Sequence, residues 1–219
     1  MNIDHLKIAN VFISNPIRKS NHRGLRMAAL CAVFTAFLAL PGCSLFIPEK
    51  APAKPENPTG VSGKYDPQAE QLFAKARILW KEGEICSDPE QAVEYLDEAL
   101  KLEPGYPQAL IRRGLALSQL GYTEDAFDDL TQAIRLEPSA EAYLSRGLCL
   151  FRQGNTAGAR ADLEEALRRD EGSYRAWTIL GAVALKEGKD AEACESFKNA
   201  CSAGDCAGLE TARREKICQ

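Results

Sequence analysis

The chain is poor in the residues on which most enzymes depend. Its two histidines, His5 and His22, both lie near the N-terminus, within residues 1–42. Everything after them lacks histidine, which excludes any nucleophile or general base that needs an imidazole. No glycine-rich phosphate-binding loop is present, and neighbouring carboxylates such as Glu164 and Glu165 fall at solvent-facing positions. We therefore expect a protein that is not an enzyme, with no cofactor.

Acidic residues outnumber basic ones outside the N-terminal segment. Residues 1–42 hold five Lys or Arg and one acid, which leaves 22 basic and 30 acidic residues and a net charge of minus 8 in the remainder. A nucleic-acid-binding protein is expected to show a basic face. The composition therefore argues against nucleic acid as a partner, although 45% hydrophobic and 26% charged residues are ordinary for a soluble domain.

The apolar run near the N-terminus is short for a membrane-spanning helix. Residues 27–40, MAALCAVFTAFLAL, carry no charge and are preceded by Arg18, Lys19, Arg23 and Arg26. A spanning helix needs roughly 20 apolar residues. A shorter run behind a basic flank indicates the core of a secretory signal peptide.

The run ends in the letters LPGCS at residues 40–44, which resemble the lipobox of bacterial lipoproteins. The resemblance implies a signal peptide at 1–42 that is cleaved before Cys43, with Cys43 as the lipid attachment site. Because Ser44 is not aspartate, it also implies delivery to the outer membrane, facing the periplasm. Pro41 departs from the small residues that are usual there. The alternative is an ordinary signal peptide or an uncleaved anchor, with the cysteine incidental.

A proline-rich segment follows the lipobox. It reads FIPEKAPAKPENPTGVSGKYDP from Phe46 to Pro67 and contains five prolines. Such a segment is extended and solvated, at about 3.1 Å per residue in a polyproline II form. We expect residues 43–67 to be a tether that holds the next domain away from the bilayer.

The remainder of the chain repeats a pattern of small and apolar residues. The clearest copy runs from Arg112 to Pro138, and its markers recur twice downstream at a nearly constant spacing. The markers are Gly114, Gly121, Ala126, Leu130 and Ala133, then Gly147, Gly154, Ala159, Leu163 and Ala166, then Gly181, Gly188, Ala193, Phe197 and Ala200. A copy upstream has Ala92, Leu96, Ala99 and Pro104. The chain therefore contains four copies.

This spacing resembles that of the tetratricopeptide repeat, a helix-turn-helix unit of about 34 residues. The last copy resembles that family most closely, with Trp177, Leu180 and Gly181 in its first helix. One such hairpin cannot bury its apolar face alone, so the copies must stack. The resemblance predicts an all-α, right-handed solenoid of about four helix pairs at 68–203 and a capping helix at 204–219. The copies are expected at 68–106, 107–139, 140–173 and 174–203.

The first copy has a longer connection between its helices than the others. Gly83 lies nine positions before Ala92, where the later copies have five. The extra residues fall around 85–88, and Asp88 followed by Pro89 predicts a new helix start. We interpret the long turn as tolerated surface variation, with a recognition element as the alternative.

Opposite charges recur inside the middle copies. Copies two and three each carry an arginine on the first helix and an aspartate on the second, whereas copy four has Leu180 and Ser196 in those places. The two pairs are Arg113 with Asp129 and Arg146 with Asp162. Because both charges are lost together, the pattern predicts an ion pair within each copy rather than a ligand site.

In the tetratricopeptide family the first helices line a concave groove that holds an extended peptide or a partner helix. Carried over by position, the resemblance implies a groove that is apolar with a basic edge, although several apolar members could instead pack only on neighbouring helices. The candidates are Gln108, Ile111, Arg112, Leu115, Ser118, Gln119, Leu144, Leu148, Phe151, Arg152, Arg175, Thr178, Ala182, Leu185 and Lys186. Family members that clamp chaperone tails need Lys and Asn where this chain has Ile or Leu, which argues against that ligand.

Four of the eight cysteines, Cys194, Cys201, Cys206 and Cys218, cluster at the C-terminal end. If the last repeat helix and the cap form an antiparallel hairpin, the residue numbers of two facing residues add up to nearly the same value along the hairpin. This rule pairs Cys201 with Cys206 and Cys194 with Cys218. Within one helix, Cys206 and Cys218 would be about 18 Å apart and could not bond. A metal site is the alternative, without a nearby histidine or paired CxxC units to support it. In an oxidising compartment we expect two disulfides and no metal.

The predicted function is that of a membrane-anchored scaffold that binds envelope proteins or peptides through the groove. Members of these families assist assembly of pili, secretins or outer-membrane machinery, and others recruit cell-wall hydrolases, and the sequence does not choose among them. A periplasmic enzyme or a peptidoglycan- or sugar-binding protein is the alternative from another class. A sugar site would want clustered exposed aromatics, and the only tryptophans are Trp80 and Trp177. No small-molecule substrate is expected.

Overall fold

The computed structural model describes residues 64–80 and 85–218. Regular structure in these stretches consists of nine α-helices and an isolated β-bridge between Trp80 and Cys86. The helices are α1 Pro67–Arg77, α2 Pro89–Leu102, α3 Pro107–Leu120, α4 Thr123–Leu136, α5 Ala140–Gln153, α6 Thr156–Arg169, α7 Tyr174–Lys186, α8 Asp190–Ser202 and α9 Ala207–Arg214. The prediction of an all-α fold is confirmed.

The predicted signal peptide, Cys43 and most of the predicted tether lie outside the described residues. Among the helices that the structure describes, none combines the length and the apolar character that crossing a membrane requires.

Helix ends follow the capping residues of the sequence. Asp88 accepts a hydrogen bond of 3.1 Å from the backbone N–H of Gln91, and Pro89 occupies the first turn of α2. Gly121 and Gly154 end α3 and α5 in the left-handed region, each with a φ of 86°. A glycine adopts that conformation without the steric cost that a Cβ would bring. The predicted start of α2 is therefore confirmed.

The helices pack as four consecutive pairs, and each pair contacts the next. The pairs are α1 with α2, α3 with α4, α5 with α6, and α7 with α8. The first helices α3, α5 and α7 also contact one another in order, and α9 packs against α8. The buried apolar residues therefore follow the whole length of the array instead of forming one central core.

Glycines in the first helices allow the close approach within a pair. A Cβ added to Gly114 would lie 2.8 Å from Cγ of Leu130, and one added to Gly181 would lie 2.5 Å from Cε1 of Phe197. Real Cβ atoms do not come this close to a neighbouring carbon. The repeated glycine is therefore a packing requirement of the helix pair.

The end of the predicted tether belongs to the packed domain. The ring of Tyr65 stacks on Tyr106 with centroids 4.1 Å apart, and Nζ of Lys64 lies 3.7 Å from a carboxylate oxygen of Glu137. The run of prolines suggested an extended segment as far as Pro67, but that residue is the first of α1. A proline in the first helical turn costs nothing, so proline content alone could not mark this boundary.

Candidate partner-binding surface

The predicted groove residues lie on α3, α5 and α7, and we call the side of these helices that carries them the first-helix face. Because α3 contacts α5 and α5 contacts α7, residues at equivalent positions of successive copies are brought into neighbouring rows. The structure therefore brings the predicted set together on adjacent helices. It also divides the set into two classes.

Nine of the fifteen predicted groove residues are buried, with at most 8% of their surface exposed. They are Ile111, Leu115, Ser118, Leu144, Leu148, Phe151, Thr178, Ala182 and Leu185. Their apolar members belong to the hydrophobic clusters that run through the array, so in this structure they are core residues and not an open apolar groove. Apolar residues at helical spacing form the same pattern in a buried stripe and in a binding groove, so the sequence could not separate the two roles.

The other six predicted residues are polar and keep part of their surface exposed. They are Gln108, Arg112, Gln119, Arg152, Arg175 and Lys186. Two of them contact the start of the next copy or the loop before it. Arg112 donates from Nη2 to Glu141 at 3.0 Å, and Gln108 donates from Nε2 to Glu137 at 3.4 Å.

Three of the six, Gln119, Arg152 and Lys186, occupy one equivalent position near the C-terminal ends of α3, α5 and α7. We call these three residues the rim row. Each reaches back toward the preceding copy. Because their spacing is that of the repeat, their side chains recur along the same edge of the first-helix face.

Gln119 holds the long turn of the first copy. Its Oε1 accepts from the backbone N–H of Cys86 at 2.7 Å, and its Nε2 donates to the carbonyl of Cys86 at 3.2 Å. The turn is further closed by the N–H of Ser87, which donates to the carbonyl of Leu79 at 2.8 Å. An amide side chain satisfies both backbone groups at once. Gln119 is therefore a structural residue in this arrangement, a role that its groove position did not reveal.

The other two members of the rim row supply positive charge. Arg152 is partly exposed and donates from Nη1 to the hydroxyl of Ser118 at 3.3 Å. Lys186 is exposed, and its Nζ lies 5.2 Å from the ring centroid of Phe151. Arg112, whose guanidinium is paired with Glu141, lies on the same face, 5.4 Å from the ring centroid of Trp80. The basic edge of the predicted groove is therefore present at the surface.

The predicted ion pairs within the copies are confirmed, and they extend further than the sequence indicated. Arg113 donates from Nε and Nη2 to Asp129, both at 2.7 Å, and from Nη1 to Asp97 of the preceding copy at 2.7 Å. The hydrogen bonds to Asp129 raise the pKa of Arg113 above its ordinary value, so the guanidinium stays charged.

Arg146 makes the same contacts one copy later. It donates to both oxygens of Asp162, at 2.7 and 2.9 Å, and from Nη1 to the hydroxyl of Thr131 at 3.3 Å. We call this arrangement the arginine brace, because the arginine of a first helix joins its own second helix to the second helix before it. The recurrence of acceptors at Asp97 and Thr131, one repeat period apart, was the signal in the sequence that could have shown it.

The C-terminal cysteines are placed as the two predicted disulfides require. Cys194 and Cys218 are joined with their Cα atoms 5.5 Å apart, and Cys201 and Cys206 with theirs 4.0 Å apart. Within residues 64–80 and 85–218, no three His, Cys, Asp or Glu side chains converge as a metal site would need. The structure is therefore compatible with two disulfides, and the pairing itself stays a prediction.

Two further cysteines of the described residues, Cys86 and Cys149, are free and buried. Burial raises the pKa of both thiols, because a thiolate loses its hydration in the interior. Neither therefore has the character of a reactive nucleophile.

Comparison with known proteins gives one family. Residues 87–130, 111–173 and 152–205 match the family model described as Tetratricopeptide repeat, and these overlapping segments span more than half of the chain. Human Tetratricopeptide repeat protein 13 is 36% identical over 111 residues, which cover 51% of this chain and 13% of that protein. A UPF0162 protein of Xylella fastidiosa is 46% identical over 50 residues, which cover 23% of this chain and 18% of that protein. The chain thus spans less than a fifth of either relative.

Solved structures share the arrangement of helix pairs. TTC0263, a thermophilic TPR protein of Thermus thermophilus, aligns with a TM-score of 0.58 and 23% identity over 68% of this chain and 80% of its own. MamA of Desulfovibrio magneticus RS-1 aligns with a TM-score of 0.55 and 21% identity over 70% and 88%. The first TPR of Spaghetti (RPAP3), bound to the HSP90 peptide SRMEEVD, aligns with a TM-score of 0.50 and 21% identity over 55% and 94%. These likenesses show the fold.

Proposed function

Because this chain belongs to the tetratricopeptide repeat family, we propose that it is a non-catalytic scaffold that binds a partner protein or peptide on the first-helix face. The observation that carries the proposal is the positive charge of Arg152 and Lys186, which lie at equivalent positions of two successive first helices and keep part of their surface exposed. Charges repeated along one face select a partner of opposite charge and speed its association. The expected partner therefore presents acidic side chains or a terminal carboxylate to this face.

The ligand is expected to differ from the chaperone tail. The RPAP3 structure holds the peptide SRMEEVD, which contains acidic residues. A clamp for such tails needs Lys and Asn at positions where this chain has buried Ile and Leu. Recognition here would instead depend on Arg152 and Lys186 of the rim row. These cations keep part of their surface exposed, whereas the Ile and Leu residues are buried.

We place this scaffold in the bacterial envelope, anchored through lipid on Cys43 and facing the periplasm from the outer membrane. The support is the short apolar run behind a basic flank and the LPGCS letters at 40–44. A single acyl chain anchors only marginally, at about 0.8 kcal/mol per buried CH₂, so the several chains of a lipoprotein would make release negligible. Assembly of a pilus, secretin or outer-membrane complex is the process in which such a scaffold would act.

The anchor is tested with Cys43→Ala. We expect the variant to stay unprocessed or to move to the soluble periplasmic fraction, and labelled palmitate to enter the parent only. A variant that fractionates with the outer membrane like the parent, together with an unlabelled parent, would remove the anchor from the proposal.

The binding face is tested by charge reversal of surface residues. The variant Arg152→Glu/Lys186→Glu changes the rim row, and Arg135→Glu/Lys198→Glu makes the same change of net charge on exposed cations of second helices. Leu148→Asp is unsuitable, because Leu148 is only 4% exposed and a carboxylate there would unfold the core.

Partners are first identified by affinity purification of the lipidated protein from its own envelope, followed by mass spectrometry. The dissociation constant of each purified partner is then measured for the parent and both variants. We expect the rim-row variant to weaken binding about tenfold or more, which corresponds to a loss of about 1.4 kcal/mol in binding free energy. The control variant should bind like the parent. Equal binding by both variants, with unchanged circular dichroism, would move the partner to another surface.

A further inference from the structure

The arginine brace links the second helices at two of the three junctions between copies and is missing from the third. Between α6 and α8 the position of the bracing arginine is held by Leu180, and the position of its aspartate is held by Ser196. The acceptor on the preceding second helix is retained, because Glu164 occupies the place that Asp97 and Thr131 hold in the other two interfaces. This interface therefore has an acceptor without its arginine.

An open pocket of about 860 Å³ lies at this interface. Its apolar lining comes from Leu167 of α6 and from Trp177 and Leu180 of α7. Glu164 lies at its edge, and the indole N–H of Trp177 donates to the carbonyl of Glu171 at 3.0 Å. The hydrogen bond fixes the indole ring as a wall of the pocket.

The structure itself shows what fills the equivalent space. One copy earlier, the guanidinium carbon of Arg146 lies 5.9 Å from the ring centroid of Tyr143, and its nitrogens reach acceptors on both flanking helices. Trp177 occupies the position of Tyr143 in the next copy. The pocket therefore keeps an aromatic ring and the acceptor of the brace, while Leu180 stands in the place of the bracing arginine.

Glu164 is available to a ligand. It is exposed, and it forms no hydrogen bond or ion pair with any of the residues that the structure describes. One cation, Arg168, also lines the pocket, and its guanidinium is held by Glu165 on the same helix. The same glutamate binds Arg169 at 2.8 Å. The pocket lining as a whole contains two carboxylates, Glu164 and Glu171, and one cation, Arg168, so its formal charge is minus 1.

We propose that this pocket binds an arginine side chain of a partner protein. The guanidinium lies on Glu164, and the methylenes of the side chain pack on Trp177 and Leu180. A planar guanidinium suits the site better than the ammonium of lysine, because it stacks on an aromatic ring and presents several donors in one plane. This site is formed by α6, α7 and α8 and does not use the rim row, so it is independent of the proposed function of the first-helix face.

The test uses two peptides and the full-length chain. One peptide is acetyl-Gly-Gly-Arg-Gly-Gly-amide, and the other replaces arginine with citrulline, which has the same shape without charge. Binding is followed through the indole N–H resonance of Trp177, assigned by comparison with Trp177→Phe. The variants are Glu164→Gln in the pocket and Glu195→Gln on the exposed part of α8 as a matched control.

We expect the arginine peptide, and not the citrulline peptide, to shift the Trp177 resonance saturably. Glu164→Gln should weaken binding by about two- to fivefold, the range for one exposed ion pair, and Glu195→Gln should leave it unchanged. The double variant Leu180→Arg/Ser196→Asp rebuilds the brace within the chain and should abolish binding with the helical signal intact. Arg152→Glu/Lys186→Glu should bind the peptide like the parent.

Three results would overturn the proposal. The first is equal binding of the citrulline peptide, which would mean that the pocket recognises apolar surface and not a cation. The second is a Trp177 resonance that neither peptide shifts. The third is undiminished binding to the folded variant whose pocket already contains its own arginine.

Discussion

Removing the disulfide between Cys194 and Cys218 should destabilise the C-terminal end more than removing the one between Cys201 and Cys206. The perturbations are the two double variants in which both cysteines of a pair become serine. Each variant removes one bond and leaves no unpaired thiol of that pair, so the other bond stays unchanged. Their comparison isolates the contribution of each cross-link.

The expected magnitudes follow from the lengths of the loops that the bonds close. The sequence separations are 24 residues for Cys194–Cys218 and 5 residues for Cys201–Cys206. The loss of chain entropy in the unfolded state is then about 3.4 kcal/mol for the longer loop and about 2.1 kcal/mol for the shorter one at 25 °C. The difference is about 1.4 kcal/mol in the free energy of unfolding.

The position of the longer cross-link adds to this difference. Cys218 is buried in the cluster that contains Leu209 of α9 and Phe197 of α8. The bond therefore holds the segment that follows α9 onto the helix pair of α7 and α8. Within a repeat array each unit is stabilised mainly by its neighbours, so a terminal pair depends strongly on its cap.

The assay is thermal unfolding followed by circular dichroism, with hydrogen exchange to locate the change. A difference of about 1.4 kcal/mol corresponds to a midpoint about 3 to 6 °C lower for the variant without the longer cross-link. Amides of α8 and α9 should exchange faster in that variant, while those of α3 and α4 keep their protection. Reductant should loosen the last helix pair before the first three.

Two outcomes would refute the reasoning. One is an equal or reversed order of the two midpoints. The other is a mass map, made after alkylation without reduction, that shows four free thiols or a peptide joining Cys201 to Cys218.

Gly181→Ala should lower the free energy of unfolding by about 1 to 3 kcal/mol, because the new methyl group meets the buried ring of Phe197. Gly105→Ala is the control, because its methyl group would meet no atom within 4 Å, and denaturant unfolding should show no change. Arg113→Met should lower the free energy of unfolding by about 1.5 to 3 kcal/mol, because Asp97 and Asp129 lose their charged donor. High salt should not restore the urea midpoint of this variant. Iodoacetamide should label Cys86 and Cys149 slowly at pH 8 until urea is added. Since folding raises the pKa of both thiols above their ordinary 9.0, the folded state loses stability as the pH rises through the folded pKa, and a pH titration of urea midpoints should show that fall.

The helix pairs and the contacts within each pair could be predicted from the amino-acid sequence. Gly114 recurs with the repeat because its own copy supplies Leu130, and Arg113 pairs with Asp129 only 16 residues away. Such contacts depend on one hairpin, whose geometry is set by helical periodicity and a short turn. A pattern read along the chain is sufficient for contacts of this kind.

Contacts between copies depended on the tertiary structure. Arg113 also binds Asp97 of the preceding copy, and Gln119 holds the backbone of Cys86 across 33 residues. Which side chains meet there depends on how far each hairpin is rotated on its neighbour. A repeated motif contains no information on that rotation, so the long turn was correctly found but its attachment to α3 was not.

The candidate binding face was predicted in position but not in character. The period of the repeat was sufficient to place the predicted groove residues on α3, α5 and α7. It did not show that Leu148 is buried, with 4% of its surface exposed, while Lys186 on the same face is exposed. Periodicity shows that a residue lies on one side of a helix, and only the packing of neighbouring elements decides whether that side is open. The charged residues of the set keep part of their surface exposed because charged groups are costly to bury.

The pocket beside Glu164 shows the same division. The sequence by itself established that copy four lacks both the arginine and the aspartate of the other copies, since Leu180 and Ser196 stand in their places. Only the tertiary structure showed that the loss leaves an open space between α6 and α8 with Trp177 at its wall. The brace joins the second helices of two copies, so the space left by its absence depends on how those copies pack on each other.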